Sequence, residues 1–306
     1  MAIYVKYSTD VGAPTLSGTT GTLITVLDYC LVTTAGWTKS LSGTNTATYK
    51  APGGNGMYLG VNDNGTTNAY HARVRGFEPA AGAVVAPTTA GVTIDANTAP
   101  FPLDAQNNGG CFVQKSDAAN GTARWWGFVG NDRAFYLSIY SGSNYGTFFF
   151  GDFISYKSGD AFNTALIADS TASTINAHFR SVSFQNTAVN GHFIARSHTQ
   201  LGSSITVSKG YDFSRVSASA NLGSSGTTYP DAVVGGLLMT PVGLGESSAN
   251  VARGKLPGLY APLHNRPLAN LDTFTGSGAL SGKTFYVQNA STDAQYFIET
   301  SDTWYS

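Results

Sequence analysis

Between positions 124 and 160 the chain runs in short aromatic and β-branched stretches cut by turn residues. Breaks about every eight to twelve positions are the pattern of a compact antiparallel β domain. Within it, residues 133–140 alternate cleanly: Phe135, Leu137 and Ile139 point one way, Tyr136, Ser138 and Tyr140 the other. Phe148-Phe-Phe150 and 153–156 add more aromatic strand, so this region is expected to be buried on both faces or to rest one face on a partner. The clearest hairpin is 57–61 and 69–77 around Asn62-Asp-Asn-Gly65; a second is expected from 111–115 and 124–129 around Asn120-Gly121. Residues 57–156 are thus expected to form one β domain, with Trp126, Phe128, Phe135, Leu137, Ile139 and Phe153 in its core.

Elsewhere the signal is weaker. Residues 1–22 start with a weak alternation (Ile3, Val5, Tyr7) and read as an N-terminal strand or an arm that pairs with a neighbour. Residues 23–32 fit a short helix or a strand. Residues 79–110 look like one long excursion, rich in Ala, Pro, Thr and Asn. Asp160 is placed to cap a short helix over 161–167. Short runs at 175–184, 192–196, 205–207 and 211–216 read as a looser β region. From 237 onward Gly and Pro punctuate the chain before a closing pair of strands, 284–288 and 295–299. The expected organisation is an arm or strand (1–22), a main β domain (23–160), a second β region (161–236) and a loop-rich C-terminal segment with a closing hairpin (237–306). The fold class is all-β: an antiparallel sandwich or barrel-like domain with a looser β region and long loops.

Composition sharpens this picture. Of 306 residues only 11% are charged, against about 25% in ordinary globular chains. Aromatic residues make up 12%, which argues against disorder. The carboxylates are 15 Asp and 3 Glu, a bias toward turns and caps over helix interiors. A surface so poor in charge must be wetted by hydroxyls and amides or covered by partners. Net charge is −1, with no basic footprint for nucleic acid. The densest basic spot, His71-Ala-Arg73-Val-Arg75, puts three side chains on one strand face and reads as a solvated face. The opening MAIYVKYSTDVG lacks the basic and apolar segments of a secretory signal, and no run approaches a membrane span.

Motifs for chemistry are absent or defective. Ser277-Gly-Ala-Leu-Ser-Gly282-Lys283-Thr284 approaches a phosphate loop, but its first Gly is misplaced and a strand-like Phe285-Tyr-Val follows. Asp63-Asn64-Gly65 lacks the other ligands of a calcium loop. His71, His178, His192, His198 and His264 form no zinc motif, and Cys30 and Cys111 no C-x-x-C pair. The two cysteines are expected as buried free thiols, with an inter-strand disulfide left open. Asp132, Asp152 and Asp160 are candidates for a glycosidase carboxylate pair by count alone, each beside Gly or Asn where Asp forms turns. Trp125 and Trp126 are the candidates for stacking on sugar, one of them at most facing a given site. No catalytic residue, cofactor or metal is expected.

Three stretches carry a resemblance. They are Arg124-Trp-Trp-Gly-Phe-Val-Gly-Asn-Asp-Arg-Ala-Phe-Tyr-Leu137 with Gly151-Asp-Phe-Ile-Ser-Tyr156 and Gly159-Asp160; Tyr49-Lys-Ala-Pro52 through Met57-Tyr-Leu and Arg73-Val-Arg-Gly-Phe-Glu78; and Arg253-Gly-Lys-Leu-Pro-Gly-Leu-Tyr-Ala-Pro-Leu-His264. In these the chain resembles virion structural proteins of tailed bacteriophages, of the tail or baseplate accessory type. The resemblance implies a non-enzymatic, multi-copy subunit at the distal tail, baseplate or collar. It also implies synthesis in the bacterial cytoplasm, residence in the virion, and contacts with copies of itself and other virion proteins. The rival expectations are a carbohydrate-binding module for the host surface and, behind it, a polysaccharide-degrading enzyme.

Overall fold

The computed structural model describes residues 2–64, 69–78, 100–103, 106, 109–140, 145–169, 191–201, 203–209, 229–246, 249, 251–264, 267–289 and 295–305. The described strands are β1 (Tyr4–Tyr7), β2 (Thr38–Gly43), β3 (Thr46–Lys50), β4 (Tyr58–Asn62), β5 (His71–Phe77), β6 (Pro100–Phe101) and β7 (Cys111–Gln114). They continue with β8 (Trp125–Gly130), β9 (Ala134–Tyr140), β10 (Tyr145–Asp152), β11 (Ile154–Ser155), β12 (Thr164–Ile167), β13 (His192–Arg196) and β14 (Ser203–Lys209). Last come β15 (Met239–Glu246), β16 (Val251–Pro262), β17 (Thr273–Thr275), β18 (Thr284–Asn289) and β19 (Gln295–Glu299). Helix α1 (Thr22–Leu27) runs on into a π-helical turn, Asp28–Thr34. The fold is all-β, and among the described residues every strand pairing is antiparallel.

A 6-stranded sheet has the order β2-β3-β4-β5-β6, with β7 also on β5. A 13-stranded sheet has the order β1-β8-β9-β10-β12-β13-β14-β15-β16-β19-β18-β17, with β11 off this path on β16, and does not close into a barrel. It folds back on itself, because β11 continues from β10 and pairs with β16 at Ile154↔Lys255. The outcome is layered: the smaller sheet, then β8–β10 with β12 and β13, then β15–β19.

The middle layer is buried on both faces, and its period-two pattern shows why. Trp126, Phe128, Phe135, Leu137, Ile139, Phe148, Phe150, Leu166 and Phe193 join one core with α1 and the smaller sheet. Their neighbours Val129, Ala134, Tyr136, Phe149, Ala165, Ile167 and Ile194 join a second core with Leu244, Leu256, Tyr286, Ile298 and Trp304. Five of the six core residues expected from sequence lie in the first core; Phe153 is buried in the second.

Several expectations are corrected. The hairpin around Asn120-Gly121 does not form: β7 pairs with β5 and β8 with β1 and β9, so residues 115–124 cross between layers. Two good strands adjacent in sequence need not pair when each has a better partner in a different sheet. Residues 161–167 hold β12, not a helix. The Asp160 carboxylate accepts the Phe162 N–H two residues on, which makes a turn, and Thr164–Ile167 then pairs with β10 and β13. Of the two expectations for residues 1–22, the strand is the one that forms: β1 pairs with β8 through Tyr4↔Gly130 to Tyr7↔Gly127, and Leu16 bridges to Arg124. The stretch from 237 is strand more than loop, since β15 and β16 form a long hairpin. Its Pro and Gly residues are absorbed by register shifts at Pro241/Gly243 and Leu244/Gly245. The His71-Arg73-Arg75 face is not solvated: His71 and Arg75 are buried, Arg75 Nε donates to the Pro102 carbonyl at 2.7 Å, and Arg73 lies 4.3 Å from the Phe112 ring centre.

Other expectations hold. β4 pairs with β5, and β18 with β19. The phosphate-loop lookalike is a 3-10 turn, Gly278–Leu280, between β17 and β18. Cys30 and Cys111 are buried thiols. The expected boundary at 160/161, by contrast, does not separate two sheets, because the β10–β12 pairing runs across it. The stretches 175–184 and 211–216, most of the excursion 79–110, and His178 lie outside the described residues.

Helix α1 is a choice that tertiary structure makes. Thr22-Leu-Ile-Thr-Val-Leu27 is as strand-like as it is helical by composition. Its cap comes from far along the chain: Leu23 N–H donates to the Asp63 carboxylate at 2.8 Å. Asp63 is in turn ion-paired with Lys115, both wholly buried, and the Lys115 ammonium donates to the Thr19 carbonyl at 2.7 Å. Helix, β4–β5 hairpin and crossover are tied at one point.

Phe135 is fully buried and sits edge-on to Trp37 at 5.6 Å and Phe148 at 5.3 Å. Phe135→Ala is expected to cost about 3–5 kcal/mol in chemical denaturation. A loss below about 1 kcal/mol, at an unchanged m-value, would contradict burial between two layers.

Candidate functional site

The three candidate aspartates sit close together where the layers join. Asp152 ends β10 and Thr164 opens β12. The loop 52–56, between β3 and β4, reaches across from the smaller sheet to meet them. Thr164 Oγ1 donates to Asp152 Oδ1 at 2.6 Å, and Asn55 N–H donates to Asp152 Oδ2 at 3.0 Å. Asn55 Nδ2 donates to Asn163 Oδ1, and Gly53 N–H to the Asp132 carbonyl at 2.9 Å. A Cβ on Gly54 would collide with the Asp152 carboxylate, and φ there is +71°, so only glycine fits the contact. Asp132 borders the same loop beside Gly53. Arg133 lies 5.3 Å over the Tyr305 ring, and Tyr305 hydroxyl donates to the Asp152 carbonyl at 2.6 Å.

Asp160 belongs to a neighbouring network whose centre, Arg253 with Asp160 and Glu246, has buried side chains. Ser155 Oγ donates to its Oδ2 at 2.7 Å and Arg253 Nη2 at 2.9 Å. Arg253 also donates from Nη1 to Glu246 and to the Arg196 carbonyl. Arg196 grips Glu78 with Nε and Nη2, at 2.8 and 2.7 Å. His198 Nδ1 meets the second Glu246 oxygen at 2.9 Å, and Lys157 Nζ donates to the His198 carbonyl at 2.7 Å.

The two aspartates titrate in opposite directions. Burial pushes Asp152 up to about 6, against the pull of Thr164, Asn55 and Arg133 and with help from the charge on Asp160. Burial acts the same way on Asp160, but Ser155, Arg253 and the Phe162 N–H outweigh it and hold the group below the usual carboxylate range. Divergent pKa values in adjacent carboxyls are a property of acid–base sites. Here, however, each carboxylate oxygen of Asp152 and of Asp160 already accepts a hydrogen bond from the chain itself. A general acid or base needs an oxygen aimed at substrate. These carboxylates are built as pins that hold the 52–56 loop and the 155–162 turn to the sheets.

The tryptophans separate. Trp126 is buried, its indole N–H donating to the Pro14 carbonyl at 3.0 Å, so it presents no face to a sugar. Its neighbour Trp125 is half-buried on the opposite face, near-parallel to Tyr286 at 6.4 Å and 6.2 Å from Tyr7. Trp125 therefore forms part of an aromatic shelf at the β1 edge. The Cys30 thiol is buried, and burial pushes its pKa up, which leaves an inert group. Among the described residues, no group of three or more His, Cys, Asp or Glu is placed to hold a metal ion. Nor is any described helix long and apolar enough to cross a membrane.

Sequence reasoning missed Arg253, Glu246, Glu78 and the Asp63–Lys115 pair. No local motif marks any of them as a member of a buried ion pair. The one available signal was scarcity: with charge so rare, each charged residue between apolar runs is a candidate for a buried pair. No family model matches the chain, and no curated protein is similar to it.

The Asp152 shift makes a pH prediction. The folded carboxyl, at about 6, binds its proton more tightly than the unfolded one, near 3.8. Its contribution is therefore gained as pH falls through 6 and lost as pH rises through it. Relative to Asp152→Asn, the wild type should gain up to about 3 kcal/mol between pH 7.5 and about 4. Denaturant titrations of both proteins at the two pH values check this; a wild type that loses ground on acidification would contradict it.

Proposed function

We propose that the chain is a structural, non-enzymatic subunit of a tailed-phage particle, set in the tail at its distal end, baseplate or collar. It is made in the bacterial cytoplasm and acts by packing in multiple copies against itself and other virion proteins. The observation that carries this reading is where the chain spends its few charges. Lys115, Arg196, Arg253 and Lys283 are turned onto Asp63, Glu78, Asp160, Glu246 and Glu299, pairs whose acidic members are buried. Several large apolar side chains are left on the outside. Val11, Val233 and Leu201 are 102%, 92% and 87% exposed, with Val234 and Tyr156 at 60%.

The Val233-Val234 tip is held in shape. Asp231 Oδ1 accepts both valine N–H groups at 2.9 Å, and Gly235 N–H returns to the Asp231 carbonyl at 2.8 Å. A rigid apolar tip on a surface poor in charge suits permanent protein contact, where charges are depleted and preformed anchors lose little entropy. Edge strand β1, with Tyr4 exposed, offers a further contact by strand addition.

A second reading rests on Trp125. Of the two candidate stacking residues it alone keeps partial exposure, beside half-buried Tyr7 and backed by buried Tyr286, and such a ring suits a host-surface glycan. Trp125→Ala would then abolish binding to host polysaccharide and leave assembly intact.

The subunit is expected to co-purify with intact tailed particles at fixed stoichiometry through a density gradient. Val233→Ser with Val234→Ser should leave the isolated chain folded by circular dichroism yet lower its incorporation by about tenfold or more. Absence from purified particles, or normal incorporation of the folded double variant, counts against the proposal.

A further inference from the structure

The crossover 115–124 carries chemistry that neither the fold nor the proposed assembly role uses. The sequence has five Asn-Gly steps, at 55, 64, 108, 120 and 190. Two have both residues described, and their surroundings are opposite. Asn120 and Gly121 lie in the exposed run 119–123. A Cβ placed on Gly121 meets nothing within 4 Å, so the residue is uncrowded as well as exposed. Thr122 N–H donates to Asn120 Oδ1 at 3.1 Å. That bond polarises the side-chain carbonyl and would support negative charge developing on its oxygen. The ends of the run are anchored by the Asp117–Arg124 ion pair and by Arg124 N–H to the Leu16 carbonyl at 2.8 Å.

Asn55-Gly56 is the internal contrast. Asn55 Nδ2 donates to Asn163 Oδ1, its N–H is held by Asp152, and the residue is half-buried. Swinging its side chain onto the Gly56 nitrogen requires those bonds to break, and with them the joint described above.

We propose that Asn120 is a site of spontaneous deamidation and isomerisation. The Gly121 backbone nitrogen attacks Asn120 Cγ. A C–N bond forms, the Cγ–Nδ2 bond breaks, and the side-chain nitrogen leaves as ammonia with the proton from the Gly121 amide. Water then opens the succinimide at either carbonyl and yields aspartate or isoaspartate. No oxidant, metal or enzyme enters. The product sets a new carboxylate two residues beyond Ala118, whose carbonyl packs against Gly18. The isoaspartate form also lengthens the backbone of the crossover between layers.

The test is a timed incubation of the folded full-length chain in mildly alkaline buffer, followed by peptide mapping and isoaspartyl methyl-transfer labelling. Position 120 should gain about 1 Da and accept label, while Asn55 stays intact. Gly121→Ala has room for its methyl group. It should slow conversion by about an order of magnitude, because a Cβ screens the nitrogen and narrows the backbone's range. The same chain unfolded in urea should convert at both asparagines, which separates protection by structure from intrinsic rate. Conversion of Asn55 as fast as Asn120 in the folded chain, an intact Asn120 when the unfolded chain converts, or an unchanged rate in Gly121→Ala would each overturn the assignment.

Discussion

Everything else in this molecule depends on the two-sided burial of β9 and its neighbours. A strand with one wet face tolerates polar residues at alternate positions; this one has none to spare. Phe135 and Leu137 pack toward α1 and the smaller sheet, while Ala134 and Tyr136 pack toward the outer layer. A register slip of one residue would exchange the two sets, and neither core could accept the other's volumes. The Tyr136 hydroxyl shows how closely the outer layer is fitted: fully buried, it donates to the Pro257 carbonyl at 2.7 Å. A buried hydroxyl needs such a partner, and a prolyl carbonyl at a break in the β15–β16 ladder is free to serve.

Given that stack, the polar groups have a restricted task. The layers must be joined at their ends, where strands stop and loops cross. Buried charge is tolerated there only if paired or hydrogen-bonded. Asp63, Asp152 and Asp160 each stand at such an end and each is bound by a distant segment: Asp63 by the Leu23 N–H, Asp152 by the Asn55 N–H and Asp160 by the Arg253 guanidinium. Removing one partner of a buried pair is costly because the other remains, so these sites confer specificity of joining more than net stability. The same economy leaves the outside with few charges and with apolar tips, and this supports reading the chain as an assembly subunit.

The all-β class, the β4–β5 and β18–β19 hairpins and the residues of the middle layer were legible along the chain. They follow from period-two alternation and local turn residues, which act over a few positions. Which strand pairs with which was less so. Residues 111–114 and 125–130 have the pattern of a hairpin, yet they enter different sheets, because pairing is decided by the partners available in three dimensions. Likewise 22–27 carries no local preference strong enough to choose, and the Asp63 carboxylate, 40 residues away, makes it a helix.

The candidate site divides along the same line. Composition alone determined that this chain is poor in charge, rich in aromatic strand and without a catalytic motif, since those are properties of residue type and local order. Only the folded structure decided what each polar group does. Asp132, Asp152 and Asp160 are 20 and 8 residues apart in sequence, and their meeting at the layer joint depends on the β10–β12 pairing and on a loop arriving from the other sheet. Trp125 and Trp126 are adjacent and chemically identical, yet one lines a half-open shelf and the other is sealed in a core. The pleat sends neighbours to opposite faces, and which face is dry depends on layers built from residues more than a hundred positions away.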